Sequence, residues 1–225
     1  MFQLSDDWKN TFPEAHAGVL VMRGAANPPH HPALEKLKAE LEDQIRARFA
    51  GQERPEIGKN PVLQAYAAYY RDFKKTYHVQ LQLESILFKG KSLPSVAALV
   101  EAMFMAEMDD LLLTAGHDLD TLQLPVTLDV AKGSEIYTLL RGQEQALKAG
   151  DMLISDRGGV ISCILYGPDQ RTQITPATQN VLFTVYAPAG VAVALIEEHL
   201  QKIRQYILTI APQAQTDLLQ VYGSQ

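Results

Sequence analysis

Two stretches of this chain gather side chains that do chemistry. The first is Thr114-Ala115-Gly116-His117-Asp118-Leu119-Asp120, an imidazole followed by two carboxylates. The second runs from Gly167 to Asn180 and holds Asp169, Arg171, Thr172, Gln173, Thr175, Thr178 and Asn180. An acid, a guanidinium, hydroxyls and amides on one loop between apolar strands make a reasonable ligand site, because a rigid sheet fixes the loop. A plainer alternative stands beside it. Thr175 before Pro176 suits a turn cap, and Asp169 with Arg171 knits the loop.

Other reactive residues carry less. His30-His31 sits between prolines with no third ligand nearby, which reads as an exposed loop. His199 shares a helix stripe with Leu195 and reads as structural. Cys163 lies in an apolar strand, where a thiol behaves as a small hydrophobe. The strong motifs are missing: there is no GxxxxGK[ST] loop, no strand-linked GxGxxG, no HExxH and no GxSxG. The sequence therefore calls for no cofactor and no metal.

Composition sets the surroundings. The chain has 225 residues, 47% of them apolar, with 20 Lys and Arg against 26 Asp and Glu. That is ordinary globular composition, and the net charge of −6 argues against a strongly basic nucleic-acid binder. The acids cluster: Glu101 to Asp129 contains seven of them and no Lys or Arg. Arg71, Lys74, Lys75, Lys89 and Lys91 form a local excess of positive charge, so a modest cationic surface coexists with an acidic total. No apolar run approaches the ~20 residues that span a bilayer, so no membrane contact is expected. The N-terminus does not read as a secretory signal, and a single cysteine excludes an internal disulfide framework. A reduced, cytoplasmic environment is the expectation.

The elements that must hold these groups follow from periodicity. Gly18–Met22 reads as a buried strand. Leu34, Leu37, Leu41, Ile45 and Phe49 form one stripe of a helix over about Ala33 to Phe49. Gln52 to Gly58 reads as a loop. Asn60-Pro61 reads as a capped helix start, followed by Leu63, Tyr66, Tyr70 and Phe73. A third helix is expected over Leu81 to Phe88, ending at Gly90. A fourth is expected after Pro94, capped by Ser95, with Val96, Leu99, Val100, Met103, Phe104 and Met108 on its apolar side. The period then becomes two. Strands are expected over Val126–Val130, Glu135–Leu140, Met152–Ser155, Val160–Tyr166 and Val181–Tyr186, before a closing helix through Leu195, Leu200 and Ile207. Helices, then strands, then a helix is an α+β order.

Several segments together resemble a known family. They are Gly18–Gly24, Asn60-Pro61, Lys89–Pro94, Gly116–Asp120, Gly150-Asp151, Arg171–Thr175 with Thr178, and Asn180–Phe183. In this order they are similar to the B3/4 domain, a module of the bacterial phenylalanyl-tRNA synthetase beta subunit that also occurs free-standing. The likeness runs from about residue 12 to residue 200. It implies N-terminal helices packed on a mixed, largely antiparallel sheet, with a C-terminal helix, as one domain over 1–225. Residues 201–225 would be a helix extension and tail. It also implies a link to aminoacyl-tRNA, since the synthetase module hydrolyses tyrosine misattached to the phenylalanine tRNA. Nothing resembles an ATP-using aminoacylation site, so the chain is not expected to charge tRNA.

Carried over residue by residue, the resemblance makes His117, Thr172 and Thr175 the candidate catalytic residues. His117 would orient a water or bind the terminal ribose, and the threonines would supply hydroxyl donors. Glu101, Asp169, Arg171, Gln173, Thr178 and Asn180 would bind substrate, with Arg171 a phosphate clamp. The chain departs from the family at three places. Ala97-Ala98-Leu99-Val100-Glu101 replaces an Asn-Pro-Leu-Val-Asp-type run, Phe104 stands at a later Asn, and Gln173 stands near an acid. Telling tyrosine from phenylalanine needs a polar partner for the hydroxyl, because an apolar pocket separates the two only about 10²-fold. The expected function is binding of the acceptor end of charged tRNA, with hydrolysis of a mischarged ester in trans. The alternatives are a non-catalytic tRNA-binding module and a small-molecule site. No DNA partner is expected. All rest on one spatial expectation: the His117 turn and the threonine segment share a pocket, with Glu101 beside it.

Overall fold

The computed structural model describes residues 1–223. Strand β1 (Phe2–Leu4) leads through helix α1 (Asp6–Thr11) into β2 (His16–Arg23). Five helices follow: α2 (Pro32–Arg48), α3 (Arg54–Ile57), α4 (Pro61–Asp72), α5 (His78–Lys89) and α6 (Ala98–Asp110). Then come β3 (Leu113–Asp118), β4 (Val126–Val130), β5 (Ile136–Thr138), β6 (Glu144–Ala146), β7 (Met152–Asp156), β8 (Gly159–Cys163), β9 (Gly167–Pro168) and β10 (Val181–Ala187). Helix α7 (Val193–Ile210) and β11 (Gln215–Gly223) close the described chain. The α+β class stands.

Two sheets form the frame. One has the order β11-β2-β10-β3 and is antiparallel throughout. The other has the order β1-β4-β7-β8-β9, with β1–β4 its one parallel pair. Side chains alternate across a strand. On the helix side of the first sheet, Gly18 lies close under α7: a Cβ there would stand 2.5 Å from Ile196. On the opposite side, the Tyr186 hydroxyl meets that of Ser162 at 2.5 Å, tying the two sheets together. The main core runs continuously from Trp8 through the sheets to Ile207. No described helix is long and apolar enough to cross a membrane.

Local signals explain some of the element ends. Asn60 caps α4 as expected, its side-chain oxygen accepting from the N–H groups of Val62 and Leu63 at 2.9 and 3.4 Å. Asn60→Ala should lower stability by about 1 kcal/mol, the usual worth of such a cap, measured by urea unfolding. Gly90 ends α5 in the left-handed conformation (φ 61°) that its missing side chain permits.

Other expectations are corrected. The stretch expected as a loop after Gln52 contains α3, closed by Glu56 accepting from the Glu53 N–H at 2.9 Å. Helix α5 begins at His78, not Leu81. Ser95 does not cap α6, which starts at Ala98; its hydroxyl instead accepts from Lys38 Nζ at 3.0 Å. The expected helical extension past Leu200 stops at Ile210, and Gln215–Gly223 is a strand on β2. The last two residues of that expected tail, 224–225, lie outside the described residues. Most important for the site, Thr114–Asp118 is not a loop but most of buried strand β3, with a 3-10 turn over Leu119–Thr121.

Candidate functional site

Strand β3 is an edge of its sheet, paired with β10 on one side only. Beside its open edge lies a cavity of about 220 Å³. Helices α5 and α6 supply His78, Gln82, Val100, Met103, Phe104 and Glu107 to its wall. The strand adds Leu113 to Gly116, and the segment after β9 adds Gln173 and Ile174. The helix side arises from spacing: residues 100, 103, 104 and 107 fall three or four apart on one face. That face is apolar apart from Glu107.

Glu107 is the unusual member. Its carboxyl oxygen Oε1 accepts the Thr114 N–H at 2.7 Å. Burial pushes its pKa up to about 8, against the smaller downward pull of that bond. At neutral pH it is chiefly a neutral acid with a proton to donate. His78 also lines the cavity, and burial lowers its pKa, so its ring is neutral. Tyr70 donates its one hydroxyl proton to the Ile164 carbonyl (2.8 Å), so His78 Nδ1 donates to Tyr70 (3.1 Å) and Nε2 is left as an acceptor. A second groove of about 400 Å³ shares His78, Gln82 and Phe104 with the cavity and reaches Lys91, Ser92 and Pro94. The small cavity thus adjoins a groove that reaches Lys91.

The sequence-derived residues divide into groups. His117 and Thr172 do meet: His117 Nδ1 lies 2.8 Å from the Thr172 hydroxyl. Thr172 in turn donates to Asp169, whose carboxylate also accepts the Thr172 N–H at 3.0 Å. This fixes His117 Nδ1 as a donor to Thr172 and leaves Nε2 as a bare acceptor, buried without a partner. Burial drives the His117 pKa down to about 3. Both His117 and Thr172 are fully buried, and neither lines the cavity. Arg171 spends its guanidinium on Asp156, at 2.7 and 3.0 Å. Burial alone would raise Asp156, but Arg171 and the N–H groups of Gln123 and Gly158 outweigh it and hold the carboxyl low.

The other threonines knit their loop. Thr178 accepts the Thr175 N–H at 2.9 Å and donates to Asp118 at 2.5 Å, and Thr175 accepts the Ala177 N–H at 3.3 Å. Asn180 donates to Asp120 at 2.8 Å and accepts the Gly24 N–H at 3.3 Å. Glu101 stands apart from the His117 cluster. It is buried against Lys38 Nζ at 3.2 Å and accepts the Val96 N–H at 2.8 Å. Gln173 is therefore the one sequence-derived site residue in the cavity wall.

Sequence reasoning passed over Glu107, His78 and Gln82. The available signal was Glu107 itself, an acid seven residues after Val100 on the apolar side of a helix. His199 was read correctly as structural in placement: it is buried, with Nδ1 3.1 Å from Asp110 and Nε2 2.8 Å from the Thr114 hydroxyl, fastening β3 to α7. Cys163 is buried as expected, and burial raises its thiol pKa, yet it also touches the cavity.

The described residues thus form a two-sheet α+β frame with a small, largely apolar cavity at a sheet edge. A family model for the B3/4 domain matches residues 62–209, well over half of the chain, and the chain belongs to that family. Among solved structures, it is similar to an N-terminal fragment of the phenylalanyl-tRNA synthetase beta subunit from Pyrococcus horikoshii, with a TM-score of 0.52 and 11% identity. The alignment covers 98% of this chain and 53% of that one, so the chain spans about half the fragment's length. At that identity the likeness is one of fold. Comparison with curated proteins gives no match.

Proposed function

We propose that this chain, acting as one module, binds the acceptor end of aminoacyl-tRNA and lodges the aminoacyl group in the Glu107 cavity. The observation that carries this reading is the cavity itself. At about 220 Å³ it is smaller than the ~300–1,000 Å³ of pockets that hold drug-sized ligands, and it suits one amino-acid residue. Its continuation toward Lys91 gives a phosphate backbone a cationic approach. Membership of the B3/4 family and the synthetase-like fold support the same reading.

Filter binding over a panel of charged and uncharged tRNAs tests it. At least one charged tRNA should bind about tenfold more tightly than its uncharged form, equivalent to ~1.4 kcal/mol, with affinity falling as salt rises. Met103→Trp, which fills the cavity, should erase that preference. Equal affinity for charged and uncharged forms across the panel would remove the reading.

Hydrolysis of the ester in trans is a second reading, favoured by the pairing of a protonated carboxyl and a neutral imidazole in one cavity wall. Such a pair offers a proton donor, Glu107, and an unprotonated nitrogen, His78 Nε2. On this reading Glu107 and His78, not the buried His117, touch the substrate. A deacylation assay over the same panel decides it: rates no faster than spontaneous hydrolysis leave a binding module without turnover.

A further inference from the structure

The open edge of β3 carries an unused main-chain pair. In an antiparallel strand the N–H and C=O of successive residues point alternately to the two sides. Leu119 donates its N–H to the Asn180 carbonyl (2.9 Å), just beyond the end of β10, which sets the phase of the alternation. Thr114 and Asp118 point the other way, their N–H groups reaching Glu107 at 2.7 Å and the Thr172 carbonyl at 2.8 Å. Gly116 lies midway between them and has the same phase. Its N–H and C=O therefore leave the sheet on the cavity side, and Gly116 is part of the cavity wall. Among the described residues, no backbone or side-chain group bonds to either of them there. Gln173 and Ile174, which follow Thr172, also line the cavity, and Ile174 packs beside Gly116: a Cβ on Gly116 would stand 2.8 Å from its Cδ1.

A buried, unpaired N–H and C=O on one residue is uncommon, because each costs free energy unless something bonds it. The spacing also has a chemical meaning. In a hydrogen-bonded antiparallel pair, two residues exchange both bonds, so one residue's own nitrogen and carbonyl oxygen satisfy its partner's C=O and N–H. An α-aminoacyl group carries both atoms in that relation. We propose that Gly116 is the recognition element for the α-aminoacyl unit: its C=O accepts from the ligand's α-amino group, and its N–H donates to the ligand's acyl carbonyl. The ligand adds one residue of strand to the sheet edge. Recognition then reads the backbone of the amino acid, while the apolar wall of α6 reads its side chain. A donor on the acyl oxygen is also the contact that stabilises developing negative charge during ester cleavage.

This inference rests on the aminoacyl reading and names the contact that realises it. Nitrogen–proton correlation spectra of the full chain test it, using non-hydrolysable adenosines that carry Ala, Val, Leu, Phe or Tyr through a 3′-amide. In the free protein, the Gly116 amide should exchange with solvent about tenfold or more faster than those of Ala115 and His117, which face β10. A compound that binds should shift Gln82, Phe104 and Gln173, move the Gly116 amide proton downfield and slow its exchange by about tenfold. Shifts at the three wall residues with Gly116 unmoved would overturn the Gly116 contact and leave the aminoacyl reading intact. A panel in which no compound shifts any wall residue would overturn both.

Discussion

Replacing Glu107 with glutamine should remove most of a stability loss that the native chain suffers between about pH 5 and pH 8. The sign follows from linkage. Burial raises the folded-state pKa of Glu107 from 4.5 to about 8. Between those values the folded chain keeps a proton that the unfolded chain releases, so raising the pH favours unfolding. The native chain is most stable with respect to this group below 4.5, and the loss is complete above 8. At ~1.4 kcal/mol per tenfold change in proton affinity, the total is on the order of 4–5 kcal/mol. Glutamine keeps an acceptor for the Thr114 N–H and has no proton to lose.

Neighbouring groups shape the rest of the curve. Asp151 is raised by burial to about 6, although Tyr69, Cys163 and two backbone groups bond it, and it adds a loss of the same sign below pH 6. His117, lowered by burial to about 3, acts in the opposite direction: its contribution is lost as pH falls from 6.5 toward 3. Both remain in the variant, so the difference between the two curves isolates Glu107. Urea unfolding at pH 5, 6.5 and 8 measures it. A native-minus-variant difference that stays constant over this range would show that Glu107 does not titrate as a buried acid.

Lys38→Met should lower stability by an amount of similar size. Lys38 Nζ bonds Glu101 at 3.2 Å, Glu35 at 3.1 Å and the Ser95 hydroxyl at 3.0 Å, and Lys38 and Glu101 are both buried. Removing one partner of a buried pair leaves the other charge uncompensated, at a cost of about 3–5 kcal/mol. Changing both residues, as Lys38→Met with Glu101→Leu, should recover most of that loss, since an apolar pair of similar volume is often neutral or better. The comparison also decides what Glu101 is for. If ligand binding survives in the double variant, Glu101 holds α2 against the start of α6 and takes no part in recognition. A double variant as unstable as the single one would refute the pairing argument.

How much of this was legible in the sequence depends on which residues are asked about. The α+β order, the Asn60 cap and the Gly90 stop rest on local chemistry, and the structure has all three. Strand β3 was misread because Thr114-Ala115-Gly116-His117-Asp118 is polar and carries a glycine. That is loop chemistry locally, and only burial between two layers makes it a strand. The approach of His117 to Thr172 was readable as a resemblance, but its burial was not, since exposure is decided by elements distant in sequence. Glu101 and Glu107 show the same limit. Six residues apart on one helix, they meet opposite surroundings, a lysine from α2 and a strand edge from β3, and neither neighbour is visible from the helix alone.

The central position of β2 has a consequence for how the chain is made. Its partners, β10 and β11, begin at residues 181 and 215, so Gly18–Met22 emerges from the ribosome long before either flank exists. An apolar strand that waits for partners about 160 and 190 residues further on is exposed to wrong pairing, and distant partners slow closure of a sheet. Strand β2 therefore has both neighbours only once β11 has been made. Folding of this module is governed by the arrival of its far end.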